Sequence, residues 1–354
     1  MKFVHIADMH FDTSFSQLNN SELGNNRRME QRKVLKKIIE YIKENDIKYL
    51  FIAGDFYEHK YIRESTIEYI NKLFKEIENT QIFITPGNHD PVIKNSFYNK
   101  FMWNKNVHIF GSKITFFEND EVKIYGYGFN DFYYTNSEID TLKLDNKNKI
   151  NILITHGTLN GTNNVDKQYN AISKSTLDNI GFDYVALGHI HKSNYNELEN
   201  IVYPGSTISM GFDELGKHGM IVGEFSQKNL KTEFIPLDEG EFKIIDFDIT
   251  GLESVEAIAQ EINCMYLDGN NFYEICLTGV RKFEVDIYNL KKQLIMQNII
   301  KIKDKSKIAY NLEEIAKCNT LKGLFVKEIL SRLENNEYNK EIVEKALEIG
   351  LEIL

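Results

Sequence analysis

The chain has 354 residues, of which 42% are hydrophobic and 27% charged, and its formal net charge is −10. That length can bury a full core and hold two or three domains, and no apolar run reaches the roughly 20 residues that a bilayer-spanning helix requires, so no membrane segment is expected. The acidic balance argues against tight, unaided binding to nucleic acid, which needs a basic surface to displace counterions from phosphates; any basic stripe must be local.

The first apolar run, residues 3–7, begins close to Met1 and ends at Asp8-Met9-His10. This leaves no room for a cleavable leader, and a cytoplasmic protein is expected. A polar loop over 12–26 precedes a helix whose apolar positions Val34, Leu35, Ile38, Ile39 and Ile42 recur at helical spacing. The next strand, 49–53, stops at Gly54 and places Asp55 on the loop behind it. Taken alone, Gly-Asp after a strand is turn chemistry. A second helix, with Ile67, Ile70, Leu73, Phe74 and Ile77 on one face, leads to the strand 82–84 and then to Gly87-Asn88-His89-Asp90. These are successive β-α-β units.

From about 107 to 226 short strands dominate, which suggests a second sheet packed on the first. Two of them end in metal-competent side chains: 152–154 before His156, and 184–187 before Gly188-His189-Ile190-His191. The loop 157–166, rich in Gly, Asn and Thr, is either a mobile rim of a site or an ordinary solvated loop. After 236–240 the pattern resets into a small α/β unit without histidine: strand 242–247, helix 255–262, strand 272–278, helix 287–296 and strand 299–302. The tail from 312 is helical, with Leu321, Leu324, Phe325, Ile329, Leu330 and Leu333 on one stripe and Ile342, Val343, Ala346, Leu347 and Ile349 on another. The expected division is 1–238, 241–303 and 304–354.

Five strand ends thus carry histidine, carboxylate or amide side chains, and sites in open α/β sheets form outside the carboxyl ends of strands. The three cysteines, Cys264, Cys276 and Cys318, lie outside this half and read as buried thiols, so neither a disulfide framework nor a thiolate zinc site is supported. Ligands of imidazole, carboxylate and amide type suit Mn²⁺, Fe²⁺ or Zn²⁺. Their number exceeds one ion's needs, and two ions about 3.5 to 4 Å apart need a bridging carboxylate, for which Asp55 is the natural choice. His5, His108 and His218 read as packing residues. His59, next to Glu58 on the Asp55 loop, is ambiguous.

Asp8-x-His10, Gly54-Asp55, Gly87-Asn88-His89-Asp90, His156-Gly157 and Gly188-His189-x-His191 resemble, in order, the signature of the calcineurin-like metallophosphoesterases. The run 181–191, the later Tyr203-Pro204-Gly205-Ser206 and the appended small domain resemble the SbcD-type DNA repair exonucleases within it. The resemblance implies an α/β fold of two packed mixed β-sheets flanked by helices, with a small α/β capping domain and a helical C-terminal tail. It implies two divalent ions, most simply Mn²⁺, one held by Asp8, His10 and His191 and the other by Asn88, His156 and His189, with Asp55 shared. In this family the histidine matching His89 protonates the leaving oxygen or steadies the transition state, here oriented by Asp90. Family members vary three positions after the shared aspartate; Glu58 stands there in this chain and would repel a phosphate, so either it turns away or the balance of exonuclease and endonuclease activity is altered.

The expected activity is two-metal hydrolysis of phosphodiester bonds in DNA, as exonuclease or endonuclease in DNA repair and recombination. The resemblance implies an SMC-like ATPase of the SbcC type as partner, docking on the C-terminal helices, where the stripe Leu321, Leu324, Phe325 and Leu330 is either its docking face or packs on the chain's own domains. A homodimer is a further arrangement open to the chain. Two other readings stand beside this one: a phosphodiesterase for small nucleotides or other phosphoesters, and a non-catalytic scaffold of a repair complex.

Overall fold

The computed structural model describes residues 1–18, 20–133, 139–160, 169–335 and 338–354. The part of the loop 157–166 beyond residue 160 lies outside the described residues. Two compact units share the chain: Met1–Lys243 with Leu267–Tyr273, and Ile244–Tyr266 with Glu274–Leu354.

In the first unit, β1 (Lys2–Ile6), β2 (Tyr49–Ala53), β3 (Gln81–Thr85) and β4 (Val107–Ile109) pair in parallel. The strand Gly219–Ser226 returns to this sheet antiparallel to β1, and Asn229–Pro236 closes it as a hairpin. The late strand at 220–225 therefore extends the first sheet rather than the second. The other sheet runs Ile201–Val202, Tyr184–Gly188, β7 (Ile150–His156), β6 (Val122–Tyr127) and β5 (Thr115–Glu118), parallel except for the β5–β6 pair. The result is the expected α/β architecture of two mixed sheets.

Alternation along the strands explains why the sheets face each other. Phe3, Tyr49, Phe51, Ala53 and Phe83 of one sheet form a single buried cluster with Val122, Ile124, Ile150, Ile152, Ile154 and Tyr184 of the other, as a period of two requires. His5 lies between Phe3 and Ala7 in this alternation and is fully buried, with its Nδ1 3.0 Å from the Tyr184 hydroxyl. Burial pushes its pKa down to about 3, so it serves as a neutral core group. The alternate residues Val4, Ile6, Leu50 and Ile52 are buried too. Helices α1 (Ser21–Glu44) and α2 (Glu64–Lys75) carry the matching apolar stripes and make the crossovers between these strands.

Helix α1 begins well inside the segment read as a polar loop. Asn20 caps it by accepting from the N–H groups of Glu22 and Leu23. The first turns escape hydrophobic-period reading because their buried side is polar. Gln31 donates to the Met9 and His10 carbonyls at 2.7 and 2.8 Å, and the guanidinium of Arg27, 1% exposed, meets Glu30, Asp238 and the Gly240 carbonyl at 2.7, 3.1 and 3.2 Å. Arg27→Ala leaves the fully buried Asp238 carboxylate without its counter-charge, and a loss of about 3 to 5 kcal/mol is expected. Chemical denaturation checks it: a midpoint within experimental error of the parent would show that the network contributes nothing to stability.

The second unit is built on a three-stranded sheet of Phe242–Asp248, Phe272–Thr278 and Ile299–Asp304, with helices Val255–Cys264 and Ile287–Gln293 and three terminal helices, Leu312–Lys317, Leu321–Glu334 and Lys340–Ile353. The stripe expected in the tail is rotated. Gly323, Val326 and Ile329 are the buried positions of Leu321–Glu334, whereas Leu321 and Leu324 are exposed. Phe325 abuts Gly350 of the last helix so closely that a Cβ there would clash with its ring. Cys276 is buried, but Cys264 and Cys318 are exposed, which corrects the reading of all three as buried thiols. Among the described residues no helix is long and apolar enough to cross a membrane.

Candidate metal centre

Every predicted ligand lies at or just beyond the carboxyl end of a strand. Asp8 and His10 follow β1, Asp55 follows β2, Asn88 follows β3, His156 closes β7, and His189 and His191 follow Tyr184–Gly188. The backbone is left-handed at four of these positions, with φ of 50° at Asp8, 47° at His10, 48° at Asp55 and 104° at His189. A side chain with a Cβ pays about 1 to 3 kcal/mol for such a conformation, and strain of this kind gathers at functional sites. Here each turn aims a polar group at the same point. The motif glycines permit the crowding: a Cβ on Gly54, at φ 84°, would meet the His156 ring, and one on Gly87 would meet the Asp55 carboxylate.

Three groups of possible donors result, one of them His10, Glu58 and His89, and the predicted ligands make up the other two. Asp8, His10 and His191 each place one ligand atom within 4.8 Å of the others, and so do Asp55, His156 and His189. Asp55 Oδ2 lies between the groups, 3.7 Å from His10 Nε2 and 3.3 Å from His156 Nε2. Asn88 Oδ1 joins the second group, 3.1 Å from His156 Nε2 and 3.2 Å from His189 Nδ1. Asp8 is held by the His189 backbone N–H, which donates to both its oxygens at 3.0 and 3.1 Å. All seven residues meet.

His89 stands beside them, its side chain 43% exposed and its ring 4.7 Å from that of His10. Its backbone N–H donates to Asp55 Oδ1 at 2.8 Å. The expectation that Asp90 orients the ring is corrected by the contacts. Asp90 is fully buried and accepts from the N–H groups of Asp55, Phe56 and Gly87 and from the Tyr98 hydroxyl, at 3.1, 2.7, 2.6 and 2.6 Å. It ties two site loops together. The ring of His89 is instead held by Glu58, whose two oxygens lie 2.9 and 3.1 Å from Nδ1.

Glu58 also reaches His10 Nδ1 at 2.7 Å, so this carboxylate is shared between two imidazoles. A second carboxylate, Glu214, lies 2.7 Å from His191 Nδ1 and is 5% exposed. Sequence reading missed Glu214 entirely. It sits in a loop with no metal-ligand spacing to mark it, and only the fold returns that loop to His191. Among the other histidines, His218 is buried against the Ser206 hydroxyl and the Glu214 carbonyl, and His59 packs edge-on against Phe132.

The electrostatics follow from this crowding. Burial disfavours charge on His156 and His191, yet Asp55 acting on the first and Glu214 on the second outweigh it and push each up to about 9. Burial together with the neighbouring His156 pushes His189 down to about 3. For Glu58, burial is overcome by its bonds to His10 and His89, which hold it at about 2. Such a field attracts cations.

The donor chemistry passes a direct test for metal. The Nδ1 atoms of His10 and His191 each lie 2.7 Å from a carboxylate oxygen, and their Nε2 atoms face one another at 3.0 Å. Likewise His156 Nδ1 donates to the Ala53 carbonyl at 2.9 Å, turning its Nε2 toward Asp55 and Asn88. Nitrogens and oxygens facing one another in this way repel unless a proton or a metal cation lies among them, and the protons that His156 and His191 hold, both pushed up to about 9, stand where a dication would bind. Nitrogen and oxygen donors without thiolate suit a borderline or hard dication.

Comparison with known proteins agrees with this geometry. The pattern of the calcineurin-like phosphoesterases matches residues 1–193. The "uncharacterized metallophosphoesterase YhaO" of Bacillus subtilis is 23% identical over 274 residues, 74% of this chain and 66% of its own length. The D component of the nuclease SbcCD of Staphylococcus epidermidis is 27% identical over 341 residues, 85% of this chain and 84% of its own. A solved structure, described as that of a novel archaeal phosphodiesterase, aligns with a TM-score of 0.35 at 16% identity, over 66% of this chain and 100% of that one.

Proposed function

The chain belongs to the calcineurin-like phosphoesterase family, and from that premise we propose that it is a two-metal DNA nuclease, acting as exonuclease or endonuclease in repair and recombination. The observation that carries the metal-dependent chemistry is the placement of Asp55 Oδ2 between two groups of nitrogen and oxygen donors. In this reading Asp8, His10 and His191 hold one ion, Asn88, His156 and His189 hold the other, and Asp55 is shared. Mn²⁺ fits the donors, as do Fe²⁺ and Zn²⁺. When bound, such a pair supplies Lewis acidity toward the phosphate oxygens and acidifies water. His89, fixed by Glu58 and exposed toward solvent, delivers a proton to the leaving oxygen.

Two features near the centre support nucleic acid as substrate. A cavity of about 550 Å³ is lined by Arg28, Arg32 and Arg63 against the single carboxylate of Asp12, which Arg32 already engages at 2.7 Å. It begins two residues beyond His10, and it is a local basic surface on an acidic chain, suited to phosphates. On another side, the Tyr169 ring lies 5.2 Å from His189 and stacks at 6.2 Å with Tyr133, which is 75% exposed. Aromatic faces of this kind take unpaired bases.

The relationship to the D component of the nuclease SbcCD supports a partner of the SbcC type; that this partner is an SMC-like ATPase and that the pair acts in the cytoplasm belong to the same proposal. Leu321 and Leu324, 71% and 61% exposed on one helix, suit its docking; Phe325, committed to Gly350, does not.

A Mn²⁺-supplemented assay comparing end-labelled DNA with bis-p-nitrophenyl phosphate and cyclic nucleotides tests the reading. Cleavage of DNA is expected. Hydrolysis of the small esters with none of DNA, even with the ATPase added, would replace it with a phosphodiesterase for small nucleotides.

A further inference from the structure

We propose that the two ion sites are unequal, and that Glu58 and Glu214, acting from behind His10 and His191, make the Asp8 site the tight one that fills first. This rests on the two-ion reading above and adds an order and a cause to it. The asymmetry is in the contacts. Each histidine of the Asp8 group has its far nitrogen 2.7 Å from a carboxylate oxygen, His10 from Glu58 and His191 from Glu214. On the other side, His156 is backed by the neutral Ala53 carbonyl at 2.9 Å, and among the described residues no outer carboxylate lies on His156 or His189.

The inner donors lean the same way. Asp55 faces both groups, 3.7 Å from His10 and 3.3 Å from His156, but the first adds the carboxylate of Asp8 where the second adds the amide of Asn88. A carboxylate behind a ligating imidazole fixes its tautomer, aims its lone pair and raises its basicity, and losing such a partner typically costs about 10- to 100-fold in metal affinity. Two act here on one ion and none on the other.

Both carboxylates are built in. Glu58 has its backbone N–H on the Phe11 carbonyl at 3.0 Å, while its own carbonyl accepts from Tyr61 and Ile62 at 2.9 and 2.8 Å. Glu214 has its carbonyl 2.8 Å from Nε2 of the buried His218, and its second oxygen accepts the Met210 N–H. His218, which plays no part in the chemistry, thus anchors the loop that backs His191. Glu58 and Glu214 are positioning residues that act through His10 and His191.

Titration of the metal-stripped full chain with MnCl₂, followed by calorimetry and electron paramagnetic resonance, tests the proposal without measuring turnover. The first equivalent is expected to give the signal of an isolated Mn²⁺ ion and the second to convert it into that of a coupled pair. E214Q, which removes charge but little volume, should weaken the first step about 10- to 100-fold and leave the second no weaker. E58Q should do the same from a different loop, and it decides the matter if circular dichroism shows E214Q misfolded. Uptake of both ions in a single step, or a first step unmoved by either variant, overturns this inference alone. A chain that takes up no manganese overturns the two-ion reading and this inference with it.

Discussion

Replacing Asp55 with alanine is expected to lower phosphodiester cleavage by about a thousandfold or more and to release both ions rather than one. The expectation follows from where its two oxygens go. Oδ2 is the only carboxylate oxygen among the described residues within 4 Å of histidines from both groups, at 3.7 Å from His10 and 3.3 Å from His156. Oδ1 accepts the His89 N–H at 2.8 Å, so the same side chain places the candidate acid. Burial opposes its charge, yet His156 and then His10 and His89 hold its carboxyl well below the usual carboxylate range, so it is ionised throughout the neutral region. Alanine removes the shared donor, the charge that offsets repulsion between two dications, and the tether of the His89 loop. Asp55→Asn keeps the shape and can still accept from His89, so it separates the loss of charge from the loss of the tether. Metal content measured alongside cleavage checks the claim, and an alanine variant that retains two ions would remove Asp55 from the bridge.

How far the sequence discloses this centre depends on the range of the interaction. Asp8, His10, Asp55, Asn88, His156, His189 and His191 are legible because each follows an apolar run of strand length, and strand-end position is a local property. The facing of the two sheets is legible for a similar reason, since Tyr49, Phe51 and Ala53 alternate with Leu50 and Ile52 in a period of two and both sets are buried. Helix α1 is half hidden. Arg27 and Gln31 point inward to bond Asp238 and the Met9 and His10 carbonyls, so its first turns carry no apolar stripe. The supports of the centre are hidden for a different reason. Glu58 reads locally as a carboxylate that would repel substrate, and only the fold shows it clasped by two imidazoles. Glu214 and Asp90 likewise take their partners from distant or crowded loops, where adjacency in sequence misleads: Asp90 neighbours His89 in the chain but serves the backbone of Asp55, Phe56 and Gly87.

His89→Asn separates catalysis from metal binding within this cluster, and it is expected to retain both ions while kcat falls about 10²- to 10⁴-fold with little change in KM. His89 belongs to no inner group of the two-ion reading, and its side chain is 43% exposed, whereas His10 and His156 are 3% and 0% exposed. Burial would lower its proton affinity, but the bond to Glu58 and the charges of Asp55, Glu58 and Asp90 outweigh that and push it up to about 9. The cationic form therefore predominates at neutral pH and can hand a proton to a departing oxygen. The sign of the pH effect follows: parent activity should decline on the alkaline side as the ring loses that proton, at or below the value of about 9 that holds without metal because bound dications would lower it, and the asparagine variant should lack this decline. Asparagine can still contribute a hydrogen bond but cannot act as an acid, so any residual rate measures the share of catalysis due to electrostatic steadying alone. Glu58→Gln is the companion, because it leaves the imidazole in place and removes the charge that favours its protonation; it should shift the alkaline decline to lower pH. Parental turnover in His89→Asn with two ions bound would exclude His89 as the proton donor and leave water to protonate the leaving group.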